Sequence, residues 1–337
     1  MSAVRFGNIA ARAPRPAAWA IAATALALAV SACGSEDGTG TGATSSPPPR
    51  AQIQAVVAST DLYAETPQRV AVGLLTNENE FVSYGSVDLA FTYIGTAQEP
   101  SEPQQGPTAT ASFIPVYGAP ADGEGPLITL PSEGRGVYQA SDVVFDRAGF
   151  WQVMVTAQVE GLGEQQALAT FAVGEEPALP ARGDPALETE NLTLDSEGVP
   201  EAAIDSRAVT DGEIPDPELH RWTIARAVQE GRPAVVVFGT PVYCVSQFCG
   251  PVTDMVQDLS HRYDDRAVFI HIEIWDDYET QQVNQAALDW LQLPSGDLTE
   301  PWLYLIGSDG TIADRWSSLW SEDEVASELE QLPPMDG

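Results

Sequence analysis

The sequence predicts a multidomain chain, with an antiparallel β-sandwich in its N-terminal half and an α/β domain in its C-terminal half. Two kinds of periodicity lead there. Residues 51–174 carry several short runs in which apolar and polar residues alternate, the pattern of strands with one face in a core. The C-terminal half instead alternates buried-type apolar runs with helical patterns. There Ala234-Val235-Val236-Val237-Phe238 is followed by Val252, Met255, Val256, Leu259 and Tyr263, which share one helical face. A third observation is the acidic stretch 175–217 between the two halves, mixed with Pro and Gly, which predicts a solvated linker.

The chain opens on a targeting pattern. Arg5, Arg12 and Arg15 precede an apolar stretch, residues 17–30, that is too short to be a comfortable membrane span. It ends in Val30-Ser31-Ala32-Cys33, which resembles the lipobox of bacterial lipoproteins. The resemblance implies a signal peptide over residues 1–32, lipidation of Cys33, and an extracytoplasmic, membrane-anchored location. Residues 33–50, rich in Gly, Ser, Thr and Pro, read as a flexible tether.

In the sandwich region, Val87, Leu89, Phe91 and Tyr93 alternate with polar or small residues, as do Trp151, Val153, Val155, Ala157 and Val159. Shorter runs at 70–75, 137–145 and 167–173 behave alike. Several short alternating strands separated by Gly, Pro and Asn turns predict antiparallel sheets. The segment 136–155 is similar to the late strand pair of bacterial immunoglobulin-like envelope domains, which implies an Ig-like sandwich. The Pro- and Gly-rich stretch 95–125 reads as a long loop. This region holds no histidine and no cysteine, so a spacer or protein-contact role is expected of it.

The charge is −34, and all 15 basic residues are arginine. Such a chain is repelled by polyanions, which excludes a nucleic-acid role. No metal site and no cofactor are expected. The sequon at Asn191 is expected to be irrelevant in a bacterial lipoprotein.

The chemistry concentrates at Cys244 and Cys249, placed at the turn from an apolar strand into a helix. Backbone N–H groups and the helix dipole favour a thiolate there. Two cysteines five apart inside a regular helix point about 140° apart with Cα atoms about 8–9 Å apart, beyond disulfide reach. A bond between them therefore requires Cys244 to lie in the loop before the helix, or an irregular first turn. Further along, Ser308-Asp309-Gly310 is a tight-turn signal between apolar runs. Ser321-Glu322-Asp323-Glu324 has the form of a capping box, with Val325, Leu329 and Leu332 on the apolar face and Pro333-Pro334 as a stop.

Residues 238–244, 251–256 and 300–315 resemble the strand end and Cys approach, the kinked active-site helix, and the cis-proline strand and hairpin of thioredoxins. The resemblance implies a thioredoxin fold over residues 218–333 and thiol–disulfide exchange with protein thiols and disulfides of the cell envelope. Cys244 and Cys249 would be the reactive pair, and Pro301 a cis-proline that, with Glu300, touches the substrate. Two registers remain, one with Cys244 as nucleophile and one reading Cys249-Gly250-Pro251-Val252 as a degraded Cys-Gly-Pro-Cys. The family's buried acid is absent from Val235-Val236-Val237. His271 falls near the family's buried strand lysine and is a candidate acid/base, although its plainer reading is a half-exposed strand histidine. A carboxylate at Glu300 would oppose a nearby thiolate, and Tyr243 stands where the family has tryptophan. Two alternatives stay open: a non-catalytic binding or scaffold domain stapled by the cysteines, and Cu(I) handling by Cys244 and Cys249.

Overall fold

The computed structural model describes residues 52–120, 123–210 and 212–335. The expected leader, Cys33 and the tether lie outside the described residues. The described residues form one compact unit, containing a large antiparallel sheet followed by a mixed α/β region.

The sheet's nine strands are β1 (Ile53–Val57), β2 (Pro67–Thr76), β3 (Phe81–Ser83), β4 (Ser86–Gly95), β5 (Pro100–Pro115), β6 (Leu127–Thr129), β7 (Gly136–Val144), β8 (Gly149–Val159) and β9 (Gly163–Val173). They run in the order β6-β3-β2-β7-β5-β4-β8-β9, with β1 added to β2. The alternation read from β8 holds along its length: Trp151, Val153, Val155, Ala157 and Val159 are all buried. They share one core with Val70, Val72 and Leu74 of β2, so strands from both arms of the sheet close on the same interior.

Two expectations change here. The strands form one hydrogen-bonded network instead of two separate sheets, because β5 pairs with β4 over most of its length and with β7 at its end. The expected loop 95–125 contains β5 itself, a 16-residue strand. Its prolines are accommodated by irregular pairing. Pro107 lies where the register shifts between Ala90 and Thr92, and Pro103 where it shifts between Tyr93 and Gly95. Proline lacks the N–H that a ladder needs, so it is found at such bulges. At Gly106 a Cβ would lie 2.4 Å from the ring of the fully buried Trp151, so this position needs the missing side chain.

The second region is built on a four-stranded sheet in the order β11-β10-β14-β15: β10 (Ala234–Phe238), β11 (Val268–Ile272), β14 (Trp302–Ile306) and β15 (Ile312–Ser317). Between β11 and β14 a small ribbon pairs β12 (Trp275–Asp277) with β13 (Gln282–Val283). β10 pairs parallel with β11 and antiparallel with β14, which continues antiparallel to β15. Among the described residues five α-helices accompany it: α1 (Glu201–Ile204), α2 (Ile224–Gln229), α3 (Cys249–Arg262), α4 (Gln285–Leu291) and α5 (Glu322–Gln331).

The central strands are buried on both faces, which explains their unbroken apolar runs. Val235 and Val237 face Val252, Met255, Val256 and Leu259 of α3 and Val325 and Leu329 of α5. Ala234, Val236 and Phe238 face Ile224 and Ala227 of α2 and Ala286, Ala287, Trp290 and Leu291 of α4. Alternate residues thus serve opposite layers, as the two-residue period of a strand requires.

Helix ends follow local chemistry. Thr223 caps α2 and Asn284 caps α4 by accepting from Arg226 and Ala286 backbone N–H groups. Ser321 is the N-cap of α5, but its side chain makes no capping bond. The acids of that first turn are engaged elsewhere: Glu322 pairs with Arg262 and Glu324 with Arg69. Pro251 occupies the first turn of α3, where a missing N–H costs nothing, so it makes no mid-helix kink.

The large sheet docks on the α/β region through charge and apolar contacts together. Arg69 forks onto Asp314 at 2.7 and 3.1 Å, reaches Glu324, and lies over Trp316. Arg315 bonds Asp61 at 2.7 Å. Ala71, Val116 and Val137 join the core of α3 and α5.

The stretch read as a solvated linker is a third correction. Leu179, Ala181, Ala203, Ile204, Asp205, Ser206 and Ala208 are buried. The segment lies against the mixed sheet, where its charges find partners that are distant in sequence. Asn191 of the sequon is buried too. Its amide donates to the Leu192 and Trp222 carbonyls and accepts from the Ile224 N–H.

Candidate functional site

The sequence brings β10 to an end at Phe238 and restarts regular structure at Cys249, leaving ten residues of turn between them. Cys244 sits in that turn and Cys249 is the first residue of α3, and the two form a disulfide with Cα atoms 6.0 Å apart. The placement of Cys244 before the helix satisfies the reach condition worked out from helix geometry. The two sulfurs differ in access: Cys249 is fully buried, whereas Cys244 is half-buried beside Val245, which is 95% exposed at the tip of the loop. The Cys249 N–H points at Cys244 Sγ at 3.4 Å, and Ser246 Oγ lies 3.2 Å from it. An amide and a hydroxyl at the start of a 14-residue helix are placed to stabilise negative charge on that sulfur.

Strand pairing brings the second part of the site to the cysteines. Phe238 is opposite Trp302, so Gly239 and Pro301 meet at the same end of the sheet. A Cβ at Gly239 would lie 3.3 Å from Cys249 Cβ and 3.8 Å from Pro301 Cβ. The Glu300–Pro301 peptide is cis. Glu300 has a carboxylate oxygen within 4.8 Å of both sulfurs. Its Oε2 is enclosed and makes no hydrogen bond. Burial, reinforced by the negative charge of Glu273, pushes the Glu300 carboxyl up to about 7. The expectation of a carboxylate that simply opposes the thiolate changes accordingly: near neutrality this group is half protonated. It holds and releases a proton beside the sulfurs.

Glu273, at the end of β11, is a site residue that the sequence reading missed. It is buried, accepting from the Ser206 N–H at 2.9 Å and the Ile274 N–H at 2.9 Å, and burial raises its pKa. Ser206 Oγ in turn accepts from the Val242 N–H at 3.2 Å, which ties the cysteine turn to the segment read as linker. The available signal was a carboxylate inside the apolar run Ile270-His271-Ile272-Glu273-Ile274.

His271 is not a half-exposed strand histidine. It is buried, with Nε2 3.0 Å from the Gly239 carbonyl and Nδ1 3.5 Å from Asp205 Oδ2. Burial alone would lower its pKa, but Asp205 outweighs it and raises it. His220 packs against His271 with its Nε2 3.3 Å from the same Asp205 oxygen, and burial lowers its pKa. Burial acts to raise the Asp205 carboxyl. Attraction to His220, His271 and Arg207 wins and holds it well below the usual carboxylate range. His271 reaches the cysteines only through the Gly239 backbone.

Tyr243 stacks face to face on Tyr278 at 3.8 Å, with Trp275 edge-on to Tyr278. With Val242 and Val245 exposed beside them, these rings make an apolar surface around the half-buried Cys244. A cleft of about 570 Å³ lined by Asp61, Arg69, Asp314 and Arg315 lies elsewhere. The cysteine turn itself is exposed at Val242 and Val245. No described helix is long and apolar enough to cross a membrane.

Neither a scan against protein-family models nor a search of curated proteins finds a match to this chain.

Proposed function

We propose that residues 218–333 form a thioredoxin-like domain that exchanges thiols and disulfides with protein substrates through Cys244 and Cys249. The observation that carries this reading is the asymmetric disulfide between β10 and α3, one sulfur accessible and one buried, facing Glu300 and Pro301. The mixed sheet with helices on both faces and the cis Glu300–Pro301 bond agree with it.

In the reduced protein, the Cys244 thiolate attacks one sulfur of a substrate disulfide. This forms a Cys244–substrate bond and releases the other substrate sulfur as a thiolate, which takes up a proton. Cys249 then loses its proton to the Glu300 carboxylate and attacks Cys244 Sγ. The internal disulfide forms and the second substrate thiolate leaves. Two electrons pass from the cysteine pair to the substrate; the reverse sequence oxidises a substrate dithiol. Tyr243, Tyr278 and Val245 supply the apolar contact surface, and Pro301 lies against the reacting turn.

The wider proposal places this chemistry outside the cytoplasm, on a bacterial lipoprotein anchored through Cys33, with the large sheet as an Ig-like spacer. Cys33→Ala should shift the protein from the membrane fraction to the soluble fraction. Intact mass of the wild type should show the lipid; an unlipidated soluble wild type overturns the anchor.

Trapping tests the chemistry. Cys249→Ser should accumulate mixed disulfides at Cys244, seen as reductant-sensitive high-mass bands on non-reducing gels, whereas Cys244→Ser should accumulate none. Equal trapping by both variants, or none by either, rejects exchange through this pair.

A further inference from the structure

The deepest polar cluster outside the disulfide joins Asp205, His220 and His271, each at most 1% exposed. Their donor atoms lie within 4.8 Å of one another. His220 Nε2 is 3.3 Å and His271 Nδ1 3.5 Å from the same oxygen, Asp205 Oδ2. The Gly239 carbonyl fixes the His271 tautomer. A carbonyl only accepts, so His271 Nε2 carries the proton and the neutral ring turns the Nδ1 lone pair toward Asp205. A lone pair facing a carboxylate across 3.5 Å in a buried cluster calls for a cation between them, either a proton or a metal ion. His271 Nδ1, the ring nitrogen that faces Asp205, has no hydrogen-bond partner.

We propose that Asp205, His220 and His271 form a zinc site. Zinc bound tetrahedrally at about 2.0–2.1 Å from N and O donors has ligand–ligand edges of about 3.3–3.4 Å, close to the 3.3 and 3.5 Å that separate the two histidine nitrogens from Asp205 Oδ2. Two imidazoles and one carboxylate suit this borderline ion. The Gly239 carbonyl behind His271 is the kind of outer partner that orients metal-bound histidines.

Arg207 lies on the far side of Asp205. It donates from Nε to Oδ1 at 3.0 Å and to Oδ2 at 3.2 Å, and from Nη2 to Oδ2 at 2.6 Å, while its backbone N–H reaches Oδ1 at 2.9 Å. A carboxylate oxygen has two lone pairs, one for the guanidinium and one for the ion. Asp216, 2.5 Å from Arg207, balances that cation, leaving the Asp205 charge for the metal. The three ligands come from the turn after α1, the 3-10 turn Pro217–His220 and β11. Zinc there would clasp the intervening chain to the sheet directly beneath Gly239 and Cys249. The proton at His271 Nδ1 is its competitor, so binding should release a proton and weaken below neutral pH.

The test uses the full chain with its disulfide intact, stripped with a chelator and titrated with Co²⁺ and then Zn²⁺. We expect one equivalent of Co²⁺ to give the visible bands of tetrahedral N/O coordination, and Zn²⁺ to displace it. His220→Gln should weaken binding at least tenfold, and the Cys244→Ser/Cys249→Ser double variant should bind unchanged. X-ray absorption of the zinc-loaded wild type should show two imidazoles and no sulfur, a readout that stands even if His220→Gln misfolds. Absence of binding by the wild type, sulfur in the absorption spectrum, or loss of binding in the double serine variant overturns the site.

Discussion

Replacing Glu300 with glutamine separates charge from shape at the disulfide. In the folded protein burial and Glu273 hold the Glu300 carboxyl near 7, against 4.5 for the ordinary group. Between those values the unfolded chain is ionised while the folded chain keeps its proton. The folded state therefore binds more protons, and stability falls as pH rises through this window. The difference of 2.5 units corresponds to about 3.4 kcal/mol at about 1.36 kcal/mol per unit. Because Glu300 is only half-buried, solvent screening brings the expectation down to about 1–3 kcal/mol. Glu300→Gln carries no ionisable group there. It should match the wild type in stability near pH 4 and exceed it by about 1–3 kcal/mol at pH 8, with the gain appearing between pH 4.5 and 7. Urea unfolding of both proteins, disulfide intact, at half-unit pH intervals measures this directly. A difference that stays constant from pH 4 to pH 8 would refute the account of Glu300 as a half-protonated buried acid.

Further outcomes follow from the same structure. In the reduced protein Glu300→Gln should lower the pKa of the attacking thiol by about 1–2 units, since a carboxylate within 4.8 Å opposes a thiolate by about 1–3 kcal/mol; thiolate absorbance against pH reads it. Arg69→Met should cost about 1–3 kcal/mol in denaturant unfolding by stranding Asp314 at the seam, and much less when combined with Asp314→Leu. Trp290→Ala should cost about 3–5 kcal/mol, since Trp290 is fully buried against Phe238 and Tyr304 and its indole donates to Thr189 at 2.9 Å; the variant should also expose residues 175–217 to proteolysis earlier than the rest. Gly239→Ala adds a methyl 3.3 Å from Cys249 Cβ, so exchange should slow about tenfold while the far-ultraviolet spectrum stays unchanged.

What could be read from the chain was whatever one strand or helix encodes by itself. The opposite faces of Ala234–Phe238, the buried face of α3 and the alternation of β8 needed only a period and a side-chain list. Strand β5 could not be read that way. Its residues are largely exposed and it pairs through bulges that absorb two prolines, so no apolar alternation marks it. Asp205 was hidden for a different reason. An aspartate among many acids looks solvated, and only the fold brings it His220, His271 and Arg207. The cysteine turn and Pro301 were legible because a strand end, a helix start and a local Glu-Pro pair mark them. Their neighbour Glu273 depends on Ser206, 67 residues away. Within a strand of buried neighbours, a lone carboxylate is the signal to follow.

The central claim is that Cys244 and Cys249 are a working redox pair, and its most direct test is their reduction potential together with their rate of exchange. Equilibration against defined dithiol–disulfide buffers, followed by alkylation and mass analysis, gives the first; reaction with a small disulfide gives the second. A working pair should lie between about −120 and −270 mV and exchange in seconds to minutes, with exchange abolished in Cys244→Ser. A potential below about −300 mV, with no exchange by the wild type, would make the bond a structural staple and contradict the account.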